Sequence, residues 1–479
     1  MGGFDSKLSR KECRGTRKSK SWSLKTDIPD NLLRQIFSIP LTKKKYLIYA
    51  PLKGIAFLGN PALVNAIVEA CQNPATSRKA IDKFKLLDQF HFFQTEPVPA
   101  DDYQNRGVQY DSVVLFLTNQ CNLRCSYCYA FSGEYPPRTM SWEIAKAAID
   151  FVTRGVLNHR LPDMTLGFHG GGEPTLNWKV LTQAVDYTRA LAEENHVRLQ
   201  VSGAFNGYWS KKVLDYVIQN FTDLSLSFDG LPAVQNAQRP AKGKPDSFTR
   251  VAATLRALDE ARFRYGIRMT VTNEAVSRLA ESIAYICGHF HPRKIQVEPA
   301  FEEGRARKNH SAIKNLKLFI DQFISGYRTA EKHQIELFYS GARLEVLNTR
   351  FCLAACRAFV VTPDGDVTTC FETYGREHPL SQQFFVGKYQ GDGNFLIDEE
   401  KLRRHFDRTI QRISYCEHCF CKWHCAGDCA IKTVARKSGV GFRPSARCLA
   451  NQELSKFLIL EKIQASGGLL WINQNKVEI

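Results

Sequence analysis

Cys121-Asn122-Leu123-Arg124-Cys125-Ser126-Tyr127-Cys128 packs three thiols into eight residues, with the spacing C-x3-C-x2-C. It follows an apolar run, Val113 to Leu117, that reads as a buried strand, so the cysteines sit on the loop leaving a strand end. Three thiolates so placed can hold three corners of a cubane iron–sulfur cluster and leave the fourth iron open to another molecule. A structural zinc ion takes four ligands and more usually pairs its cysteines as C-x2-C, which argues against zinc here.

The bulk sequence agrees with a metal-cluster protein in a reducing compartment. Its 15 cysteines fall mostly in short clusters of the middle and C-terminal thirds, unlike a disulfide framework. No stretch approaches the ~18 apolar residues of a membrane span, and no apolar segment follows the basic N-terminus, so a cytoplasmic location is expected. At 479 residues the chain is too long for one core, and two to four domains are expected. Lys+Arg of 65 against Asp+Glu of 48 gives a net charge of +17. The excess is scattered, with no basic-aromatic platform, so it reads as a field for an acidic peptide or cofactor; nucleic acid is not favoured.

Going outward from the cysteines, residues 108–340 alternate strand and helix patterns, the mark of a parallel sheet or barrel of about six βα units. Ser141 can cap a helix whose Ile144, Ala148, Phe151 and Val152 share a face. Strands end at Phe168, near Ser202-Gly203, at Ser227, at Thr272 and at Pro299, and polar or Gly residues gather at those ends. Gly171-Gly172-Glu173-Pro174 follows the first of these, Phe168.

Cys352, Gly365 and Cys370 follow, then Cys416-x2-Cys419-x5-Cys425-x3-Cys429, and Cys448 closes the set. Pro363-Asp364-Gly365-Asp366 reads as a hairpin turn. Cys421 falls off the pattern and is a spare thiol; Cys13, Cys71 and Cys287 lack cysteine neighbours and read as ordinary residues.

These three markers resemble the radical S-adenosylmethionine (SAM) enzymes with a C-terminal SPASM extension. The resemblance implies an α/β fold: a partial (βα)6 barrel, a small N-terminal α+β domain and a Cys-rich C-terminal domain. It implies a [4Fe-4S] cluster on Cys121, Cys125 and Cys128 whose open iron chelates SAM. Tyr127, Gly171, Gly172, Glu173, Pro174, Asn206, Ser227, Asp229 and Thr270 would surround that SAM. Two auxiliary clusters would use Cys352, Cys356, Cys370 and Cys429, and Cys416, Cys419, Cys425 and Cys448. The function implied is hydrogen abstraction from a residue of a ribosomally made peptide or protein, with a flavodoxin- or ferredoxin-type electron donor. Glu372, His169, Glu298 and Tyr374 are the candidate acid/base or substrate-contacting residues.

The domains expected on this reading are a disordered basic tail at 1–29, a winged-helix, leader-peptide-recognition-like unit at 30–100, the barrel at 108–340, the auxiliary-cluster domain at 341–450 and a helix and strand at 451–479. In the second of these, Tyr46–Leu52 and Gly54–Leu58 read as strands and Leu63, Ile67 and Ala70 as one face of a helix; Ile81, Phe84 and Leu87 continue to a second amphipathic segment. Met1-Gly2-Gly3-Phe4-Asp5-Ser6 fits an N-myristoylation pattern and is discounted. Within the class, sulfatase maturation is a rival. Those enzymes resemble one another in an Asp directly after the cysteine matching Cys370, where Phe371 stands here with Glu372 next. A one-residue shift turns a strand side chain to the opposite face, which argues against that role. A small-molecule dehydrogenase and a non-catalytic electron-transfer protein are the remaining alternatives.

Overall fold

The computed structural model describes residues 35–72, 91–94, 107–433 and 441–472. The expected tail at 1–29, the myristoylation pattern and the segment through Ile81, Phe84 and Leu87 lie outside the described residues. The chain divides into two compact units. The smaller gathers parts of residues 1–100 with 414–423 and 458–479; the larger comprises 101–413 and 424–457.

In the smaller unit, β1 (Phe37–Pro40), β2 (Tyr46–Ala50) and β3 (Ile55–Gly59) form an antiparallel meander, and β15 (Leu470–Ile472) pairs along β3. Gly54 takes φ 65° between β2 and β3, a left-handed turn that glycine adopts without steric cost. The helix Pro61–Gln72 places Val64, Ile67 and Cys71 with Ile48, Ile55 and Phe57 in one core, closed by Phe92 against Phe57. The C-terminal strand therefore completes the N-terminal sheet. Its backbone satisfies the edge that β3 would otherwise leave open.

The larger unit carries one sheet of eleven strands in the order β10-β9-β8-β7-β6-β5-β4-β11-β12-β13-β14. The strands β4 (Ser112–Leu115), β5 (Asp163–Phe168), β6 (Arg198–Phe205), β7 (Leu224–Ser227), β8 (Tyr265–Val271), β9 (Lys294–Pro299) and β10 (Glu336–Phe338) follow one another in sequence and are all parallel. Helices such as Trp142–Asn158 cross between them. That helix begins at Ser141, whose Oγ accepts the Ile144 amide at 3.3 Å, and buries Ala145, Ala148, Ile149, Val152 and Val156.

Two differences from the sequence reading concern the edges. The parallel run exceeds six strands, because β10 adds at one end and β11 (Ala358–Val361) pairs parallel to β4 at the other. Residues 358–397, within the expected 341–450 domain, thus continue the parallel sheet. Their first strand takes up the free hydrogen-bonding edge of β4, and β12 (Asp366–Thr368), β13 (Phe385–Gly391) and β14 (Asn394–Ile397) continue the same sheet antiparallel. The β11–β12 connection is the expected hairpin: Gly365 has φ 78° and its amide donates to Thr362 O at 3.0 Å.

Period-two alternation explains the chemistry of the sheet's less buried face. In β8, Tyr265, Ile267, Met269 and Val271 are buried, whereas Arg268 and Thr270 are only partly so; β7 alternates Leu224 and Leu226 with Ser225 and Ser227. Register puts Ser227 beside Arg268 beside Gln296, and Thr270 beside Glu298. Sequence alternation thus gathers one row of polar groups near the strands' C-terminal ends.

Candidate active site

The cysteine loop leaves β4 after Phe116 and Leu117, both fully buried. Its backbone is held from two sides. The Arg124 amide donates to Pro240 O and the Ser126 amide to Gln238 O, each at 2.8 Å. From the other side, the Arg305 amide donates to Cys128 O at 2.9 Å and its guanidinium to Cys125 O at 3.0 Å. Asn206 Nδ2 reaches Asn122 Oδ1 at 2.6 Å and Cys121 Sγ at 3.6 Å. Burial pushes the Cys121 thiol up, and the neighbouring Cys125 and Glu173 charges add to the effect. Burial likewise raises Cys125 to about 11, against the pull of Arg239. Clustered buried thiols of this kind resist carrying negative charge until a cation shares the site.

The glycine stretch serves this loop directly. A Cβ at Gly172 would lie 2.0 Å from Gln120 O, and one at Gly171, where φ is 62°, would lie 2.9 Å from Thr118 O. The Glu173 amide donates to Gln120 O at 2.8 Å. Backbone thus packs on backbone immediately before Cys121, and the glycines are required by the chain's own close approach. Glu173 is buried and its Oε2 accepts the Asn206 amide at 2.8 Å, while Oε1 accepts Thr175 Oγ1 at 2.8 Å and Trp209 Nε1 at 3.3 Å. Burial raises its proton affinity. Pro174 opens the short 3-10 turn that Glu173 caps.

Asp229 departs from the expected role of a SAM contact. Its Oδ2 accepts Tyr127 Oη, Gln238 Nε2 and Arg239 Nε, all at 2.8 Å; Oδ1 accepts the Thr270 amide at 3.1 Å and Arg239 Nη2 at 3.3 Å. Five donors fill the roughly four lone-pair sites of a carboxylate, leaving none for a ligand. Tyr127 is the hinge of this network: its hydroxyl is tied to Asp229 and the Arg239 guanidinium lies 5.1 Å from its ring centroid. Burial raises the Tyr127 hydroxyl well above the ordinary phenol range.

The acid/base candidates separate sharply. Glu298 is excluded as a free base, because Oε2 accepts Arg447 Nη1 at 3.2 Å and Oε1 accepts the Ser340 amide at 3.1 Å. Arg447 also bonds Asp428 at 2.7 Å. Tyr374 is buried in an aromatic group with Tyr129, Tyr135 and His378, and burial drives its hydroxyl away from any acid/base range near neutrality. His169 stands at the end of β5 beside Phe371, with ring centroids 5.2 Å apart. Among the described residues its buried Nδ1 has no partner, and burial together with Arg268 lowers it to about 4, so it is neutral at pH 7.

Glu372 remains, in a cluster that sequence reading missed. Lys432 Nζ bonds Glu372 Oε2 at 2.6 Å and also bonds Glu303. Burial would raise Glu372, but Lys432 outweighs it and Arg268 adds, holding the carboxyl down at about 2. Burial raises the proton affinity of Glu303, with Glu372 adding to that rise against the pull of Lys432. Lys432 follows Cys429 by one helical turn, which was the only sequence signal available for it. Arg268, facing Glu372, His169 and Tyr129 electrostatically, was signalled only by its place in the β8 alternation.

The auxiliary cysteines fall as follows. Cys352, Cys370 and Cys429 lie within electrostatic reach, since Cys352 adds to the rise of Cys370 beyond burial and Glu372, and Cys370 adds to that of Cys429. Cys356 is buried, its Sγ is 3.5 Å from Leu353 O, and its charge bears on Tyr110. Cys425 belongs to the larger unit, and Asn451 Nδ2 lies 3.0 Å from its Sγ; Cys448 is in the same unit. Cys416 and Cys419 belong to the smaller unit, as does Cys421, whose Sγ is 3.4 Å from that of Cys419.

Residues 115–286 match the family model of the radical SAM superfamily. The sporulation killing factor maturation protein SkfB of Bacillus subtilis is 25% identical over 269 residues, 54% of this chain and 60% of that one. The cysteine-type anaerobic sulfatase-maturating enzyme of Clostridium novyi is 21% identical over 341 residues, 65% of this chain and 85% of that one. The first curated relatives are spanned over only 47–60% of their own length. Among solved structures, native anSMEcpe with bound AdoMet and Kp18Cys peptide shares the fold, with a TM-score of 0.58 and 18% identity over 74% of this chain and 99% of that one. No described helix is long and apolar enough to cross a membrane.

Proposed function

We propose, from the match of residues 115–286 to the radical SAM superfamily model, that this chain is an enzyme that abstracts hydrogen from a residue of a peptide or protein substrate, modifying it after translation. The observation that carries the proposal is the cysteine loop at the C-terminal end of β4, braced by Gly172 against Gln120 and by Arg305 against Cys125 and Cys128. The donor set fits a [4Fe-4S] cluster: three clustered thiols, two of them raised by burial, and no fourth cysteine in the loop. Bound together, cluster and SAM supply a 5′-deoxyadenosyl radical, which takes hydrogen from an unactivated C–H bond.

The chain's own residues contribute position and charge. Cys121, Cys125 and Cys128 would be the ligands. Arg268 and Ser227, adjacent across β7 and β8, offer donors to a carboxylate such as SAM carries. Asn206, Gly171, Gly172, Glu173 and Thr270 border that space, while Tyr127 and Asp229 act by fixing it. Glu372, ionised and held by Lys432, would contact a substrate as a fixed negative charge, too weak a base near pH 7 to take its proton; Phe371, packed with Val114, Phe116, Ala358 and Val360, offers no acid or base. Cys352, Cys370 and Cys429, with Cys356 the fourth candidate, would hold one auxiliary cluster; the cysteine spacing of the sequence alone proposes Cys416, Cys419, Cys425 and Cys448 for another. The reducing electron would come from a flavodoxin- or ferredoxin-type donor.

The test is iron and sulfide analysis of protein purified without oxygen, followed by SAM cleavage under dithionite. About twelve irons and formation of 5′-deoxyadenosine support the proposal; cluster absorbance without SAM cleavage would leave an electron-transfer protein.

A further inference from the structure

Arg305 lies on the short helix Gly304–Lys308 after β9 yet is spent on the cysteine loop. It is 5% exposed, and its guanidinium donates to Cys125 O at 3.0 Å and to Ser132 O at 2.6 Å, with Nε on Glu134. Its backbone amide donates to Cys128 O at 2.9 Å. The preceding Gly304 has φ 50°, and a Cβ there would lie 2.3 Å from Cys128 O and 2.5 Å from Tyr129 Cα. One residue thus grips the second cysteine with its side chain and the third with its backbone.

Burying a guanidinium is costly unless its hydrogen bonds are met. Here two of them go to neutral carbonyls, and its carboxylate partner Glu134 is 37% exposed at the side chain. The positive charge is therefore only partly compensated where it faces the loop. Net charge and hydrogen bonding around an iron–sulfur cluster set its reduction potential.

We infer that Arg305 is a positioning residue that holds the cysteine loop in its ligating shape and, as a fixed positive charge beside it, raises the reduction potential of the cluster bound there. This rests on the cluster assignment proposed above. Glu303, the residue that precedes this helix, bonds Lys432, so the same segment is also anchored near Glu372 and Cys429, whose charges act on Lys432. Lysine at 305 would keep the charge but lacks the planar fork that spans two carbonyls.

The experiment compares the full-length wild type with Arg305→Met and Arg305→Lys, each purified without oxygen, by iron content, circular dichroism and redox titration followed by EPR. In Arg305→Met the first cluster should be harder to reduce, with a roughly tenfold lower reduced-to-oxidised ratio at fixed potential, about 59 mV for one electron. Arg305→Lys should fall between, and the auxiliary signals should stay in place. Loss of about four irons from a folded Arg305→Met protein also supports the clamp. Full iron with a wild-type potential in Arg305→Met overturns it; where that variant does not fold, full iron with a wild-type potential in Arg305→Gln, which also removes the charge, does so. A wild type without a SAM-responsive cluster would instead remove the functional reading on which the inference rests.

Discussion

Gly172 lies so close to Gln120 that a Cβ at position 172 would stand 2.0 Å from the Gln120 carbonyl oxygen. Gln120 precedes the first cysteine of the loop, so any side chain at 172 must push that cysteine. Backbone offers no flexible end to yield. Gly172→Ala should therefore lower iron content by about four atoms per chain, the share of one cluster, while the auxiliary clusters persist. Iron analysis with EPR of the reduced protein reads this directly; full iron with a normal SAM response would refute the packing argument.

Asp229 and Arg239 form a buried pair, with side chains 1% and 6% exposed. Asp229→Asn would leave the guanidinium uncompensated, at a cost of about 3–5 kcal/mol. Thermal or denaturant unfolding should show that loss. Asp229→Asn combined with Arg239→Met should recover part of it, because the stranded charge is gone. Equal destabilisation in single and double variants would mean the network matters through hydrogen bonds alone.

His169 gives a pH dependence with a definite sign. Burial lowers its folded value to about 4 from the ordinary 6.5. Below pH 6.5 the unfolded chain binds a proton that the folded chain refuses, so stability falls as pH drops from 6.5 toward 4, by on the order of 2–3 kcal/mol in total. His169→Phe should flatten that part of the stability profile. An unchanged slope between pH 6.5 and 4 would show that His169 titrates normally.

Lys432 bonds two carboxylates, Glu372 and Glu303. Lys432→Met should destabilise the protein by about 3–5 kcal/mol, since it strands buried negative charge. Adding Glu303→Gln should restore part of that stability, and unfolding curves for the single and double variants provide the check. No recovery would mean that Glu303 carries no charge in the folded protein.

Much of the fold was legible because hydrophobic period and strand-end chemistry are local. Val113–Leu117, Met164–Phe168 and the Ser141 cap all correspond to elements in the structure. Which edges the strands occupy was not legible: β11 beside β4 and β15 beside β3 are pairings between residues hundreds of positions apart, and sequence pattern carries no register for them. The site divides the same way. Cysteine spacing pointed to the proposed ligands, and the Gly-Gly-Glu-Pro stretch to the backbone that packs beside them. Asp229 was read as a ligand contact because a polar strand-end residue gives no sign of how many donors the fold will bring to it. Arg305, Lys432 and Glu303 stand outside any motif, and only the folding of distant loops onto the cysteine segment gives them a role.

The central claim is that Cys121, Cys125 and Cys128 hold a cluster whose open iron receives SAM. Its most direct test is EPR of the dithionite-reduced, oxygen-free protein with and without SAM, alongside the variant carrying alanine at all three positions. The account predicts a SAM-induced change in the reduced-cluster signal of the wild type, absent from the variant. An identical reduced spectrum with and without SAM in fully iron-loaded wild type would contradict it.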